Sequence, residues 1–186
     1  MKGSVKKMSE VYNINVAGCE RDLPICNAGE HLDIAAFIMF GDVELTVKAA
    51  EAILKKWPEY DVLITAEAKG IPLCYEMARQ SGKKYIVARK SEKLYMRNPI
   101  HVEVKSITTV RLQNLYLSQE DYEYLKDKKV LIVDDVISTG ESLTAIETLV
   151  KKAGGNIVGK TCVLAEGDAA KRDDIIFLEP LPLFKK

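Results

Sequence analysis

The feature that most constrains the fold is the stretch VLIVDDVISTGES at residues 130–142. Its first four residues are aliphatic, as in a strand that is buried on both faces of a sheet, and Asp134 and Asp135 follow directly. Hydroxyl residues and Gly140 come next, before an amphipathic helical pattern over 141–155. This order predicts a strand, a short loop and a helix, with a polar site at the carboxyl end of the strand.

Strand and helix patterns alternate along the rest of the chain. Continuous apolar runs predict further strands at 61–66, 84–89, 156–165 and 174–184. Helical patterns predict helices at 71–82 and from residue 44 onward, the latter with an apolar face formed by Val43, Val47, Ala50, Ile53, Leu54 and Trp57. Such alternation is typical of an α/β fold with a mostly parallel sheet and helices on both faces.

Three polar segments, 67–70, 89–93 and 134–142, follow the ends of predicted strands. Because the carboxyl ends of parallel strands meet at one edge of a sheet, we expect these segments to form one site.

Two known sequence motifs match this chain only in part. Residues 154–161, GGNIVGKT, match the letters of a P-loop, but a P-loop needs a strand before it and a helix after it. Here a predicted helix precedes the motif and a strand follows. A response-regulator receiver, which also begins with an acid-tipped strand, needs most of its domain after the acids, whereas 51 residues follow Asp135.

The acids and the loop after them suggest a phosphorylated sugar. Ser138, Thr139 and Ser142 add hydroxyl donors to the N-terminus of the predicted helix, which favours one phosphate group. Asp134 and Asp135 cannot bind phosphate, but they can accept hydrogen bonds from vicinal hydroxyls or hold a divalent cation. A helix cap with incidental acids is the alternative, and two carboxylates against a core are costly without a ligand or cation.

Residues 130–142 resemble the phosphoribosyl pyrophosphate (PRPP) motif of type I phosphoribosyltransferases, and the resemblance extends from about Phe37 to Glu166. The adenine enzymes are the most similar, followed by the xanthine enzymes. The resemblance implies a Rossmann-like core and a Mg²⁺-dependent reaction. It also implies that Asp134 and Asp135 hold the ribose hydroxyls and, through ribose or water, the metal. The implied 5-phosphate site is formed by Val136, Ile137, Ser138, Thr139, Gly140, Glu141 and Ser142.

The other two segments resemble the parts of the family that bind pyrophosphate. The EAKG sequence at 67–70 resembles the pyrophosphate loop, which implies contacts from Ala68, Lys69 and Gly70. The segment ARKSEK implies further contacts from Arg89, Lys90 and Lys93, in this family often made across a dimer. With the two aspartates, Lys69 and Arg89 are expected to carry the reaction. A solvated basic surface is the alternative for these cations.

The resemblance also divides the chain into an N-terminal arm and hood over the base at 1–42 and a core at 43–186, with a flexible lid near 91–106. A closing lid would exclude water from a reactive cationic sugar. In the hood, Met39 is expected to offer backbone hydrogen bonds to the base and Phe40 to stack on it. Gly41 stands where the adenine enzymes carry arginine, so the base is open.

We therefore expect a purine phosphoribosyltransferase of nucleotide salvage, with adenine as the favoured base, AMP and pyrophosphate as products, and a homodimeric assembly. The alternatives are an enzyme for xanthine or another base, and a PRPP-sensing regulator that binds nucleic acid. Equal numbers of basic and acidic residues, 27 of each, argue against nucleic acid. The absence of an apolar leader or an 18-residue apolar run predicts a cytoplasmic protein without a membrane partner.

Overall fold

The computed structural model describes residues 10–57, 59–105 and 112–186. Its strands are β1 Val11–Val16, β2 Cys19–Gly29, β3 Leu32–Ala35, β4 Val62–Ala66, β5 Lys84–Ala88, β6 Ile100–Lys105, β7 Leu112–Leu117, β8 Lys129–Ile137, β9 Asn156–Glu166, β10 Ile176–Leu181 and β11 Leu183–Lys185. Its helices are α1 Val43–Leu54, α2 Ile71–Ser81, α3 Gln119–Tyr124, α4 Glu141–Lys152 and a 3-10 helix at Gly167–Lys171.

The central sheet contains five strands in the order β10-β9-β8-β4-β5, and every neighbouring pair is parallel. Every residue of β4 is buried, as its continuous apolar sequence predicts for a strand covered on both faces. The parallel α/β fold expected from the sequence is therefore confirmed.

Helices cover both faces of this sheet. Leu73 and Met77 of α2 pack with α1 and the N-terminal strands in one hydrophobic cluster. Ile146 and Leu149 of α4 pack on the opposite face in a second cluster, which also contains residues of β6 and β7. Each face of the sheet is thus covered by its own hydrophobic core, and the loops lie at the carboxyl ends of the strands.

The predicted apolar face of α1 is partly wrong. The structure buries Ala50 and Ile53 as expected, but Val43 is 73% exposed, and the helix ends before Trp57. Asp42 caps the helix through Leu45 N–H at 3.2 Å and is held by Arg21 of β2 at 2.6 Å. These contacts orient the first turn so that the buried side consists of Leu45, Thr46, Ala49, Ala50 and Ile53.

The N-terminal hood is a four-stranded antiparallel sheet in the order β1-β2-β3-β11. Pro24, which has no backbone N–H to donate, lies inside β2 opposite Val11. The single strand predicted at 174–184 is two strands: β10 belongs to the central sheet and β11 pairs with β3. The hood therefore includes a C-terminal strand from outside 1–42. The part of the hood prediction at 1–9 lies outside the described residues.

The segment expected to be a structureless lid at 91–106 contains β6, which pairs antiparallel with β7. Residues 91–99 form turns and bends before this strand. Residues 100–105 are therefore regular strand, and residue 106 lies outside the described residues. The role of the segment as a lid stays a prediction.

No helix in the described part of the chain has the length and apolar character needed to cross a membrane.

Candidate functional site

The two aspartates lie near the carboxyl end of β8, which continues through them to Ile137. The Asp135 backbone N–H donates to Asp134 Oδ1 at 2.9 Å, and Asp135 is only 3% exposed. Two ionised carboxylates this close together are unfavourable, because burial and mutual repulsion both penalise the charged form.

Burial and the neighbouring Asp135 carboxylate raise the pKa of Asp134, while Lys69 acts in the opposite direction. Lys69 Nζ lies 3.5 Å from Asp135 Oδ2, which makes an ion pair, although that oxygen has no hydrogen-bond partner among the described residues. A buried carboxylate oxygen without a hydrogen bond is costly, so this geometry fits a site that is completed by a ligand hydroxyl or a cation.

The loop after β8 encloses a small cavity of about 150 Å³. Gly140 has φ +79°, the left-handed conformation that favours glycine, and it occupies the cap position of α4 without providing a side-chain acceptor. The first backbone N–H groups of α4 thus face the loop without a side-chain cap. The cavity is lined by all seven residues expected to hold the 5-phosphate, together with Asp134 and Leu143.

The loop at 67–70 packs tightly against the acids, and its Glu67–Ala68 peptide bond is cis. A Cβ atom at Gly70 would lie 2.4 Å from Thr65 Oγ1 and 3.0 Å from Asp134 Oδ1, so only glycine fits there without a rearrangement. This close approach positions Lys69 over Asp135. The structure therefore brings Lys69 and Gly70 beside the acid pair. The contacts of Ala68, Lys69 and Gly70 with pyrophosphate stay a prediction.

Glu67 lies in the segment 67–70 that was expected to join the site, but no role was predicted for it. Its carboxylate accepts a hydrogen bond from Lys90 N–H at 3.0 Å and lies 3.2 Å from Arg89 Nη2 and 3.9 Å from Lys93 Nζ. The Lys90 backbone N–H contributes most to holding the pKa of Glu67 below its ordinary value. A signal existed, because Glu67 and Arg89 follow the paired residues Ala66 and Ala88 of neighbouring strands.

Arg89 also joins the site to the β6-β7 hairpin. Its backbone N–H donates to Tyr116 O at 2.9 Å, and Tyr116 N–H donates to Arg89 O at 2.8 Å. Its side-chain Nε is buried and has no hydrogen-bond partner in the described part of the structure. Arg89 is thus fixed between Glu67 and β7, whereas the side chain of Lys90 is exposed.

In the hood, Met39 is buried and its carbonyl accepts from Asp42 N–H at 3.0 Å. Phe40 is 53% exposed, so one face of its ring is accessible. A cavity of about 200 Å³ beside them is lined by Met39, Gly41, Asp42, Val43, Thr46, Val47, Pro72, Tyr75 and Glu76. The assignment of Met39 and Phe40 to the base stays a prediction.

The candidate metal site has two protein carboxylates. Over the described ranges, no group of three or more His, Cys, Asp or Glu side chains could hold a metal ion by itself. Mg²⁺ commonly uses one or two carboxylates and completes its shell with substrate oxygens and water. Asp134 and Asp135, with the unbonded Asp135 Oδ2, therefore fit a metal that arrives with a phosphorylated substrate.

The fold and this site define an α/β protein with a small cavity at a helix N-terminus beside paired acids. A family model described as the phosphoribosyl transferase domain matches residues 43–180, and the chain belongs to this family. The expectation drawn from the PRPP motif is confirmed.

Curated relatives carry the names of purine enzymes. The chain is 37% identical over 131 residues to a hypoxanthine/guanine phosphoribosyltransferase of Methanotorris igneus, a match covering 69% of this chain and 67% of that protein. It is 37% identical over 109 residues to the enzyme of the same name from Methanocaldococcus jannaschii, covering 59% of this chain and 56% of that one.

Several solved structures with the same fold are adenine phosphoribosyltransferases. The enzyme of Saccharomyces cerevisiae superposes with a TM-score of 0.69 at 19% identity, covering 90% of this chain and 93% of that chain. The enzyme of Thermoanaerobacter pseudethanolicus gives 0.65 at 21% identity, covering 76% of this chain and 84% of that chain. At these identities the similarity establishes the fold.

Proposed function

We propose that the protein transfers the 5-phosphoribosyl group of PRPP to a ring nitrogen of a purine base and releases pyrophosphate. The observation that carries the proposal is the pairing of Asp134 and Asp135 with the phosphate-sized cavity at the start of α4. Family membership and the purine enzymes among the relatives support the same reaction.

In the proposed reaction the bond between ribose C1 and the pyrophosphate oxygen breaks, and its electron pair leaves with pyrophosphate. A lone pair on the base nitrogen forms the new bond to C1, and the proton of that nitrogen passes to solvent. The loop at 136–142 holds the 5-phosphate and so fixes C1 for attack. Asp134 and Asp135 accept hydrogen bonds from the ribose hydroxyls, and their negative charge favours the cationic sugar that develops.

The leaving group is proposed to bind among Lys69, Arg89, Lys90 and Lys93. In the structure three of these cations already have carboxylate partners: Lys69 contacts Asp135, while Arg89 and Lys93 contact Glu67. Pyrophosphate therefore competes with protein carboxylates for its cations. A bound Mg²⁺ would supply extra positive charge to the leaving pyrophosphate, and Asp134 and Asp135 are the residues that would hold it.

For the base, two findings favour different purines. The relatives that share 37% of matched residues are named for hypoxanthine and guanine, whereas the adenine enzymes share the fold at about half that identity. The hood that would read the base contains Met39 and the exposed ring of Phe40, with Gly41 at the position of the adenine enzymes' arginine. We propose a purine acceptor, with adenine and the 6-oxopurines as the two candidates.

Further parts of the proposal come from the family. We propose a cytoplasmic homodimer in which the basic segment 89–93 lies near the partner, and a lid at 91–99 leading into β6. Sedimentation of the purified protein at micromolar concentration would test the dimer, with a monomer as the contradicting outcome.

The decisive experiment measures pyrophosphate release from PRPP and Mg²⁺ with adenine, hypoxanthine, guanine and xanthine, and with uracil and orotate as controls. Turnover with one or more purines and none with the pyrimidines is the expected result. Turnover with adenine alone would select the adenine enzymes as the functional model, and turnover with hypoxanthine or guanine would select the curated relatives. The absence of turnover with every purine would overturn the proposal.

A further inference from the structure

Arg172 approaches the phosphate loop from a part of the chain that has no role in the site described above. It follows the 3-10 helix at Gly167–Lys171 and precedes β10. A Cβ atom added at Gly140 would lie 3.0 Å from Arg172 Nη1, so the guanidinium lies directly against the residue that begins α4. A bulkier residue at 140 would meet this cation as well as an unfavourable φ.

The guanidinium is held in place by a chain of charged residues. Asp174 accepts from Arg172 Nε and Nη2, each at 2.8 Å, which leaves Nη1 as the terminal nitrogen facing Gly140. Asp174 also pairs with Lys160 of β9, and Lys160 pairs at 2.8 Å with Glu147 of α4. The bidentate contact fixes the plane of Arg172, because two parallel hydrogen bonds define its orientation.

A cation at this position opposes the electrostatics of the helix. The N-terminus of a helix carries partial positive charge, so it favours acids and disfavours cations. The charged residues at the ends of α4 follow this rule, with Glu141 in its first turn and Lys151 and Lys152 in its last. Arg172, which comes from outside the helix, does not follow it. An anion bound in the loop would make the electrostatic interaction of Arg172 with this site favourable.

We infer that Arg172 is a positioning residue for the phosphate loop, where it supports Gly140 from outside the cavity and adds positive charge for the 5-phosphate of PRPP. The inference rests on the proposed function, since it assigns the loop to that phosphate. Arg172 does not line the cavity and is not expected to touch the reacting atoms. Its removal should therefore weaken phosphate binding and leave the chemical step unchanged.

The test compares Arg172→Gln with Lys171→Gln, a neighbouring variant with the same change in charge. Lys171 is 80% exposed and pairs with Asp168, so it reports the effect of charge alone. Calorimetry with ribose 5-phosphate and, separately, with pyrophosphate should show ribose 5-phosphate weakened about tenfold in Arg172→Gln only, the size expected for one nearby charge. Pyrophosphate binding should not change, and Arg172→Lys should recover part of the loss.

Steady-state kinetics and thermal melts complete the test. The KM for PRPP should rise in Arg172→Gln while kcat is retained, and the unliganded variant should melt no lower than Lys171→Gln. Equal ribose 5-phosphate binding by the two Gln variants would overturn the inference, as would a lowered melting temperature with both ligands weakened together. Failure of the wild-type protein to bind ribose 5-phosphate or PRPP would instead overturn the proposed function beneath it.

Discussion

The two halves of the proposed PRPP site are built in different ways. The half for the ribose 5-phosphate is continuous in sequence, because β8, its loop and the start of α4 supply every residue that lines the cavity. Arg172 lies outside the cavity, against Gly140. The half for pyrophosphate is assembled from 67–70 and 89–93, which follow two different strands that are neighbours in the sheet. The first half depends on local sequence and the second on strand pairing.

The halves also differ in their charge state before any ligand binds. The phosphate loop presents hydroxyl and backbone donors, which need no counter-ion. The pyrophosphate half presents cations whose charges are already met, Lys69 by Asp135 and Arg89 by Glu67. The 5-phosphate should therefore enter a preformed site, whereas pyrophosphate must displace carboxylates from the cations that bind it.

The largest effect is expected at the acids that lie between the halves. Asp134→Asn combined with Asp135→Asn should lower kcat/KM about a hundredfold or more, on the order of 3 kcal/mol, because the ribose and the developing cation lose their negative partners. Initial rates with saturating base and varied PRPP would measure it. Near-normal turnover in this double variant would rule out the assigned role of both residues.

An intermediate effect is expected on the free energy of unfolding. Its pH dependence should change when an acid is replaced but not when another residue of the loop is replaced. Because the pKa of Asp134 is raised in the folded protein, the native state holds its proton more tightly than the unfolded chain does. Wild-type stability should thus fall as the pH rises from about 4 towards the raised value. Asp134→Asn removes this slope and should gain on the order of 1–3 kcal/mol over wild type at high pH, with little gain near pH 4.

Urea unfolding of the unliganded proteins at pH 4.5 and at pH 8.5 would measure this difference. Ser138→Ala is a suitable control, because it changes the exposed loop without removing a buried acid. A stability advantage that is the same at both pH values, or larger at the lower one, would contradict the assigned pKa direction.

The smallest effect is expected at Glu67 and tests partner exchange in the pyrophosphate half. Glu67→Gln keeps an oxygen for Lys90 N–H but removes the charge that competes for Arg89 and Lys93. Pyrophosphate should bind about threefold more tightly, the scale of a partly exposed ion pair. Calorimetry should show no such gain in Glu59→Gln, where the lost carboxylate pairs with Lys129 away from the site. Weaker binding in Glu67→Gln would mean that Glu67 chiefly positions the cations.

The parts of the molecule predicted best from sequence are those whose signals are local. The predicted order of strand, acids, loop and helix agrees with the structure, although β8 continues to Ile137 and α4 ends at Lys152. Helix α2 begins and ends within one residue of its expected bounds. The start of α3 is equally local, because the Ser118 hydroxyl accepts a hydrogen bond from Asp121 N–H at 3.2 Å. Periodicity, caps and breakers are properties of a few consecutive residues, so one sequence suffices to read them.

The errors occurred where distant segments decide the outcome. The orientation of α1 depends on Arg21 of β2, and the split of 174–184 into two strands depends on which sheet accepts each part. The roles of Glu67 and Arg172 were missed for the same reason, since each acquires its place through a neighbour remote in sequence.

The position of β11 has a consequence for the order in which the chain can assemble during synthesis. The strands β1 to β3 are made first, but the edge of β3 has no partner until Leu183–Lys185 emerges, after the whole central sheet. An unpaired strand edge invites association with other chains. The hood therefore stays unfinished while the central sheet is synthesised, and during that time the open edge of β3 exposes the nascent chain to misassembly.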